Sequence, residues 1–284
     1  MDGRAEAPAA GTVLNALATG TGSAFAIERY VEAAVSVDDT GTVDASVEGN
    51  PDADTRLIER CVDAVLERSG ADFSGGTVHT DSEIPMAAGL KSSSAAANAT
   101  VLATLAALGE EESLTREDAT KVGVEAARDV GVTVTGAFDD ASASMLGGLT
   151  VTENDTDALL IRDEVDWDAL VWTPPEQAFS ADADAERCAR VAPMAELVRE
   201  LALSGRYGTA MTVNGFAFCG ALERPAEPLV EALPDVEGVS LSGTGPSYVA
   251  VGERDNLKRV QERWNDRPGQ TWLTRTQTEG ARTI

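Results

Sequence analysis

Small and β-branched residues dominate the N-terminal stretch, in one apolar run that opens at Ala7 and a second that continues through Ile27 towards Val37. A Gly-rich turn at Gly20 to Gly22 separates them, so the pattern predicts two strands, with strand character continuing past a D-D-T-G turn to about Val47. The period then lengthens. Residues Asp54 to Arg68 predict a helix closed by Gly70, G-G-T-V-H-T-D-S-E-I alternates as a strand, and Ala95 to Leu108 is an Ala- and Leu-rich helix ended by Gly109. A further helix is expected from Arg116 to Val130, with Thr115 as N-cap and Asp118 at its third position in the manner of a capping box. After it, T-G-A-F-D-D-A-S-A-S-M-L-G-G carries a short helix closed by Gly147.

Beyond Gly148 short strands return at Leu149 to Thr152 and Leu159 to Arg162, and D-A-L-V-W-T-P-P is a strand stopped by its two prolines. From Asp168 the expected order is strand, two or three helices between Asp184 and Leu233, strands at Val239 and Tyr248, a helix from Asp255 to Trp264, and a strand from Thr271 to Thr276. That β-α-β-β-α-β order is the split arrangement of ferredoxin-like domains, with extra helices in the first crossover. The chain is therefore α+β, and the change of texture places a boundary near Thr156, dividing residues 1–155 from residues 156–284.

The segment between the alternating strand and the Ala-rich helix carries the chemistry. Glu83 to Asn98, E-I-P-M-A-A-G-L-K-S-S-S-A-A-A-N, sets a Gly-centred loop and three serines directly before a helix. The first backbone N–H groups of a helix lack intrahelical partners, and the aligned peptide dipoles leave positive charge there, so such a junction holds a phosphate. It is not the common P-loop, because Gly89 stands two residues before Lys91 with no second Gly ahead of it. A serine N-cap on a core helix is the alternative, although three successive serines exceed what a cap requires.

This loop resembles the P-x-x-x-G-L-G-S-S-A motif of the GHMP kinases, through Pro85, Gly89, Leu90, Ser92 and Ser93. Lys91 replaces the usual second Gly, and G-L-K-S-S-S-A followed by Asn98 is closer to the archaeal-type shikimate kinases. The N-terminal segment resembles the opening motif of that branch at Asn15, Ala16, Ala18, Thr19, Gly20, Gly22 and Ala24. The V-S-L-S-G-T-G-P-S-Y-V-A-V segment, Val239 to Val251, resembles the third superfamily motif. In mevalonate kinase an Asp precedes a Gly-Gly pair by the same seven residues as Asp140 precedes Gly147. Four motifs in family order span nearly the whole chain.

The resemblance implies an N-terminal domain like ribosomal protein S5 domain 2, a ferredoxin-like C-terminal domain, and ATP with Mg²⁺ as cofactors. It implies phosphoryl transfer from ATP to the 3-hydroxyl of shikimate, on the route to chorismate and aromatic amino acids. The ATP loop would be Pro85, Met86, Ala87, Ala88, Gly89, Leu90, Lys91, Ser92, Ser93, Ser94 and Ala95. Ser93 would be one metal ligand and Glu125 the other, with Asp129 one turn later as its substitute. Asp140 would accept the proton of the acceptor hydroxyl, whereas Asp139 points elsewhere and could cap the following helix; both acids could also be caps or solvated. Asn15, Thr19, Gly243, Thr244 and Gly245 are the expected substrate contacts.

Many GHMP kinases place a basic residue of the first motif beside the reacting hydroxyl. Ala9 to Val13 supplies none here, so no lysine partner for Asp140 is named from sequence. Lys91 could contact phosphate or stay a solvated loop residue. Arg4, Arg275 and Arg282 are open candidates for the shikimate carboxylate. Another GHMP kinase acting on homoserine or mevalonate, or a non-catalytic sensor of the same fold, are the alternatives.

Bulk composition narrows the setting. The 48 acidic residues against 22 basic ones leave a net charge of −26, which opposes nucleic-acid binding. Such charge self-repels unless salt shortens the Debye length to about 3 Å at 1 M, so the chain looks adapted to the salt-rich cytosol of a halophilic archaeon. No apolar run approaches the ~20 residues that span a bilayer. No leader-like block follows Asp2, Arg4 and Glu6, so a cytoplasmic enzyme is expected, monomeric or homodimeric, whose partner is a small molecule. Cys61, Cys188 and Cys219 are few and scattered, and His79 is the only histidine, which disfavours disulfide frameworks, zinc sites and Ser-His triads.

Overall fold

The computed structural model describes all residues from 1 to 284 except 86, 134, 135, 177 and 179–182. Its first sheet is built on two long antiparallel strands, β1 (Asp2–Leu14) and β2 (Thr21–Asp38), joined through one turn of 3-10 helix at Ala16–Ala18. β3 (Val43–Val47) pairs in parallel with β4 (Gly75–Ser82), and β4 lies antiparallel to the C-terminal half of β2. The N-terminal half of β2 pairs instead with β5 (Leu149–Glu153), which pairs with β6 (Ala158–Asp163).

Helices α1 (Arg56–Ser69), α2 (Ser92–Leu108), α3 (Arg116–Asp129) and α4 (Phe138–Leu146) pack together beside this sheet. The helix α2 is apolar on every side, as a helix must be when it is covered all round. It lies on β1 and β2 and is flanked by the other three. A Cβ at Gly3 would overlap the carbonyl of Ala103, so β1 meets α2 backbone to backbone. The glycines that follow α1, α2 and α4 all have positive φ, at 63°, 70° and 69°, which an L side chain adopts only at a cost. Thr115 caps α3, accepting the Asp118 N–H at 3.1 Å.

The second sheet holds β7 (Asp168–Thr173), β8 (Gly238–Leu241), β9 (Tyr248–Gly252) and β10 (Gln270–Arg275) in the antiparallel order β10-β7-β9-β8. The first crossover contains α5 (Ala185–Ala189), α6 (Ala192–Leu203), α7 (Tyr207–Ala221) and α8 (Glu227–Ala232), and α9 (Arg254–Trp264) precedes β10. Two or three helices were expected between Asp184 and Leu233; among the described residues there are four, because the short α5 and α8 stand beside the longer α6 and α7.

Alternate residues of β7 and β9 face opposite ways. Ala169, Val171, Val249 and Val251 join a core that continues through α6 and α7 to the first sheet, while Leu170, Trp172, Tyr248 and Ala250 pack with Trp264 on the other face. β6, just past the boundary expected near Thr156, lies in the first sheet, and the chain end returns as β11 (Arg282–Thr283) to pair with β1.

Candidate active site

The loop between β4 and α2 has three left-handed residues, Ala87 (φ 52°), Gly89 (φ 78°) and Lys91 (φ 67°); Met86 lies outside the described residues. Gly89 is required on two grounds, since a Cβ there would overlap the Ser242 carbonyl and come within 2.8 Å of the Gly245 carbonyl. Neighbouring backbone fixes the loop. Ala10 donates to the Leu90 carbonyl at 3.2 Å, Ser247 to that of Ala88 at 3.2 Å, and the Ser242 hydroxyl to that of Gly89 at 2.9 Å. Ala88 and Leu90 are buried beneath it. Lys91 occupies the N-cap position of α2 but makes no capping bond, and no acid stands in the first turn. The serines do not cap: Ser92, Ser93 and Ser94 are the first residues of the helix, and its leading N–H groups remain available to an anion.

The Lys91 side chain does not follow the phosphate loop into solvent. It is 6% exposed, and its ammonium lies 2.8 Å from Asp140 Oδ1 in the first turn of α4. The approach is off the hydrogen-bonding direction, so Asp140 Oδ1 is buried without a hydrogen-bond partner. Room for the ammonium comes from Gly243, where a Cβ would stand 2.8 Å from Lys91 Nζ. Lysine is therefore the missing basic partner of Asp140, supplied by the phosphate loop rather than by the first motif.

Asp139 borders the same cavity but spends its carboxylate on Asn154, and it caps nothing. It is buried, accepts a 2.7 Å hydrogen bond from Asn154 Nδ2, and packs where a Cβ on Gly22 would overlap its carboxylate. Burial, and then the neighbouring Asp140 charge, push its pKa up to about 7, against the pull of Lys91 and Asn154. Ahead of α4, Ala137 is left-handed and the Arg128 guanidinium stacks where a Cβ on Gly136 would be. Arg128 pairs with both Asp157 oxygens at 2.6 and 2.7 Å and donates to the Asn154 carbonyl at 3.1 Å, which ties the approach to α4 to the β5–β6 turn.

A cavity of about 50 Å³ is lined by these two acids and Lys91 together with Asn15, Thr133, Gly243 and Thr244. A larger 740 Å³ depression, lined by Arg4, His79 and Glu111 among others, contains none of the motif residues. Of the expected substrate contacts, Asn15, Gly243 and Thr244 thus line the same cavity as Asp140. Asn15 is already engaged, accepting from Leu17 N and donating to the Gly243 carbonyl, each at 2.9 Å. Thr19 has a buried hydroxyl without a hydrogen-bond partner, and Gly245 packs against Gly89 rather than lining the cavity.

The remaining acids and arginines lie elsewhere. Ser93 is exposed at the start of α2. Glu125 and Asp129 are ion-paired on α3, Glu125 with Arg68 and Asp129 with Arg60. Gly123, two residues before Glu125, packs on Ala97, four residues after Ser93. Arg275 pairs with Asp166 and Arg282 with Glu6, while Arg4 lines the remote depression, so none of the three lines the Asp140 cavity. His79 meets Ser46 Oγ at 2.9 Å across β3 and β4, a strand contact.

Two contributors carried no sequence motif. Asn154 sits in an ordinary turn sequence with no chemical signal. Asn214 does carry one, a lone amide in the apolar run A-M-T-V-N-G-F-A-F, where burial demands partners.

Residues 56–148 match the family model of the GHMP kinases N terminal domain. The chain is 63% identical to a shikimate kinase of Halobacterium salinarum over 284 residues, 100% of both chains. It is 51% identical to one of Methanosarcina acetivorans over 266 residues, 93% of this chain and 90% of the relative. Homoserine kinase from Cytophaga hutchinsonii superposes with a TM-score of 0.79 at 17% identity, covering 100% of this chain and 97% of that one. The Methanococcus jannaschii mevalonate kinase gives 0.77 at 13% identity, with 96% and 98% covered. The structural likenesses speak for the fold, and the full-length sequence identity for the family. The chain belongs to the GHMP kinase family, among its shikimate kinases, and is an ATP-dependent small-molecule kinase.

Proposed function

We propose that this protein phosphorylates the 3-hydroxyl of shikimate, giving shikimate 3-phosphate and ADP. The observation that carries the chemistry is the buried Asp140 Oδ1, ion-paired with the Lys91 ammonium but holding no hydrogen bond. A carboxylate oxygen held dry with a lone pair not engaged in any hydrogen bond is poised to accept a hydroxyl proton. The choice of acceptor rests on the shikimate kinase relatives and on the loop carrying lysine where other GHMP kinases carry glycine.

Phosphoryl transfer asks mainly for position and charge neutralisation. The ATP phosphates lie at the N-terminus of α2 and along the loop from Pro85 to Ala95, in this reading. The acceptor hydroxyl gives its proton to Asp140 as its oxygen bonds to the γ-phosphorus, and the bond from that phosphorus to the bridging oxygen breaks to release ADP. Lys91 offsets the negative charge gathered beside Asp140. Ser93 and Glu125 would hold Mg²⁺, which supplies charge neutralisation at the phosphate oxygens; Mg²⁺ retains water and needs only one or two carboxylates. An exposed Glu125 paired with an exposed arginine suits that role, because the pair is weak and exchangeable.

Thr19, Asn15, Gly243, Thr244 and Gly245 belong to the acceptor side of the cleft. The nucleotide domain consists of residues up to β6 together with the returning chain end, and the ferredoxin-like domain of the residues between. No helix among the described residues is long and apolar enough to cross a membrane, and the acidic surface suits a cytoplasmic enzyme at high salt, monomeric or homodimeric, acting on a small molecule.

ADP release at molar KCl, with shikimate, homoserine and mevalonate offered separately, tests the reading. Turnover with shikimate is expected. Turnover with mevalonate or homoserine alone would replace the acceptor, and ATP binding without turnover on any of them would favour a sensor.

A further inference from the structure

Asn214, in the middle of α7, is completely buried and spends both ends of its amide across the two halves of the molecule. Its Oδ1 accepts the Asn15 N–H at 2.9 Å, just past the end of β1, and its Nδ2 donates to Ser240 Oγ at 3.0 Å on β8. Ser240 passes its own proton to the Leu241 carbonyl at 2.9 Å, so the direction of every bond is set and a flipped amide would oppose donor to donor. The helix is fixed at this height by close approach. A Cβ at Gly208 would overlap the Glu237 carbonyl, and one at Gly215 would lie 2.9 Å from the Ser240 Cα.

From Asn15 the chain of contacts runs to the reacting groups. Asn15 Nδ2 donates to the Gly243 carbonyl at 2.9 Å, and the Gly243 N–H donates to Thr12 Oγ1 at 2.8 Å, so both sides of this residue are held by the end of β1. Gly243 in turn forms the wall against Lys91 Nζ, and Lys91 meets Asp140. Ser240, Asn214, Asn15, Gly243, Lys91 and Asp140 thus form one contiguous file, buried along most of its length. Its hydrogen-bonded part, from Ser240 through Asn214 and Asn15 to Gly243, rigidifies its surroundings, and passes to Lys91 and Asp140 by packing and an ion pair.

We propose that Asn214 is a positioning residue for phosphoryl transfer: it locks Asn15, and through it Gly243, so that the Lys91 ammonium is held against Asp140. The proposal rests on the reading of Lys91 and Asp140 as the reacting pair. It also reassigns Asn15, whose side chain holds the wall of the cleft and has its carbonyl and one N–H already committed. Asn214 touches neither nucleotide nor acceptor in this scheme, so its loss acts on the rate through Lys91.

A double-mutant cycle tests this, because residues acting through one another are non-additive and independent sites add. The turnover number with shikimate and the KM for ATP are measured for the wild type, Lys91→Ala, Asn214→Leu, Ser240→Ala, and each of the last two combined with Lys91→Ala. A displacement of about 1 Å at a reacting group costs up to about 100-fold, so Asn214→Leu is expected to lower turnover ~10- to 100-fold with ATP KM little changed. Ser240→Ala should give a smaller loss in the same direction. Neither should lower the rate further once Lys91 is alanine. Full additivity with Lys91→Ala, or a folded Asn214→Leu enzyme with wild-type turnover, overturns the role of Asn214. Wild-type turnover in Lys91→Ala overturns the underlying pair instead. Should Asn214→Leu fail to fold, the Ser240→Ala cycle, which removes only the far end of the file, decides by the same rule.

Discussion

Lys91 reaches Asp140 at 2.8 Å from a left-handed backbone position that glycine would hold without strain. Relieving that φ is worth roughly 1–3 kcal/mol, whereas leaving a buried carboxylate unpaired costs about 3–5 kcal/mol. The pair wins in that comparison, though Asp140 keeps 19% exposure and the cost should fall at the lower end. Lys91→Gly is accordingly expected to be less stable than the wild type in urea denaturation, and to lose activity, despite its easier backbone. A more stable Lys91→Gly protein would mean that the pair contributes little to folding.

Asp139 gives the fold a pH dependence of known sign. Its folded-state pKa stands near 7, above the ordinary 3.8, so between those values the folded chain holds a proton that the unfolded chain has released. Its contribution to stability is greatest below the ordinary value and falls as pH rises through the window to about 7. Asp139→Asn cannot ionise and should remove this slope. Thermal melts of the two proteins from pH 4.5 to 8 should show the variant gaining on the wild type as pH rises; parallel curves would contradict the assigned burial effect.

Two glycines should respond oppositely to alanine. At Gly22 a methyl group overlaps the Asp139 carboxylate, forcing it off Asn154, and overpacking of this kind costs about 1–3 kcal/mol. At Gly220, the penultimate residue of α7, a methyl group meets nothing within 4 Å, so alanine should stabilise by less than the roughly 0.5–1 kcal/mol of a helix interior. Denaturation midpoints of Gly22→Ala and Gly220→Ala check both signs.

The acidic surface predicts a salt requirement. With a net charge of −26, self-repulsion weakens as the Debye length shrinks from about 10 Å at 0.1 M to about 3 Å at 1 M. The melting temperature should climb steeply over that range of KCl and flatten beyond it. A flat response across the range would detach the charge from stability.

Local pattern made most elements legible. Gly70, Gly109 and Gly147 announced the ends of three helices, and Thr115 with Asp118 the start of another, because caps and left-handed positions are decided by a few neighbouring residues. The loop before α2 and Asp140 were singled out for a different reason, their likeness to known motifs. What escaped depends on contacts between distant segments. Nothing local to Lys91 says that it will turn to Asp140, and β11 is two residues long, paired with a strand at the far end of the chain. Asp139 as a helix cap was a local expectation, displaced by the tertiary room that Gly22 leaves and by Asn154. The four helices between Asp184 and Leu233 blurred because short helices carry too few turns for a clear period.

In the proposed mechanism Asp140 takes the acceptor proton. The most direct measurement is the rate of phosphoryl transfer by Asp140→Asn in a single turnover with saturating ATP and shikimate, beside the ATP affinity of the same protein. Asparagine keeps the shape but cannot accept the proton, so the rate should fall at least ~100-fold while ATP affinity stays near the wild-type value. A rate close to wild type, or a loss of ATP affinity that accounts for the whole decline, would contradict the account.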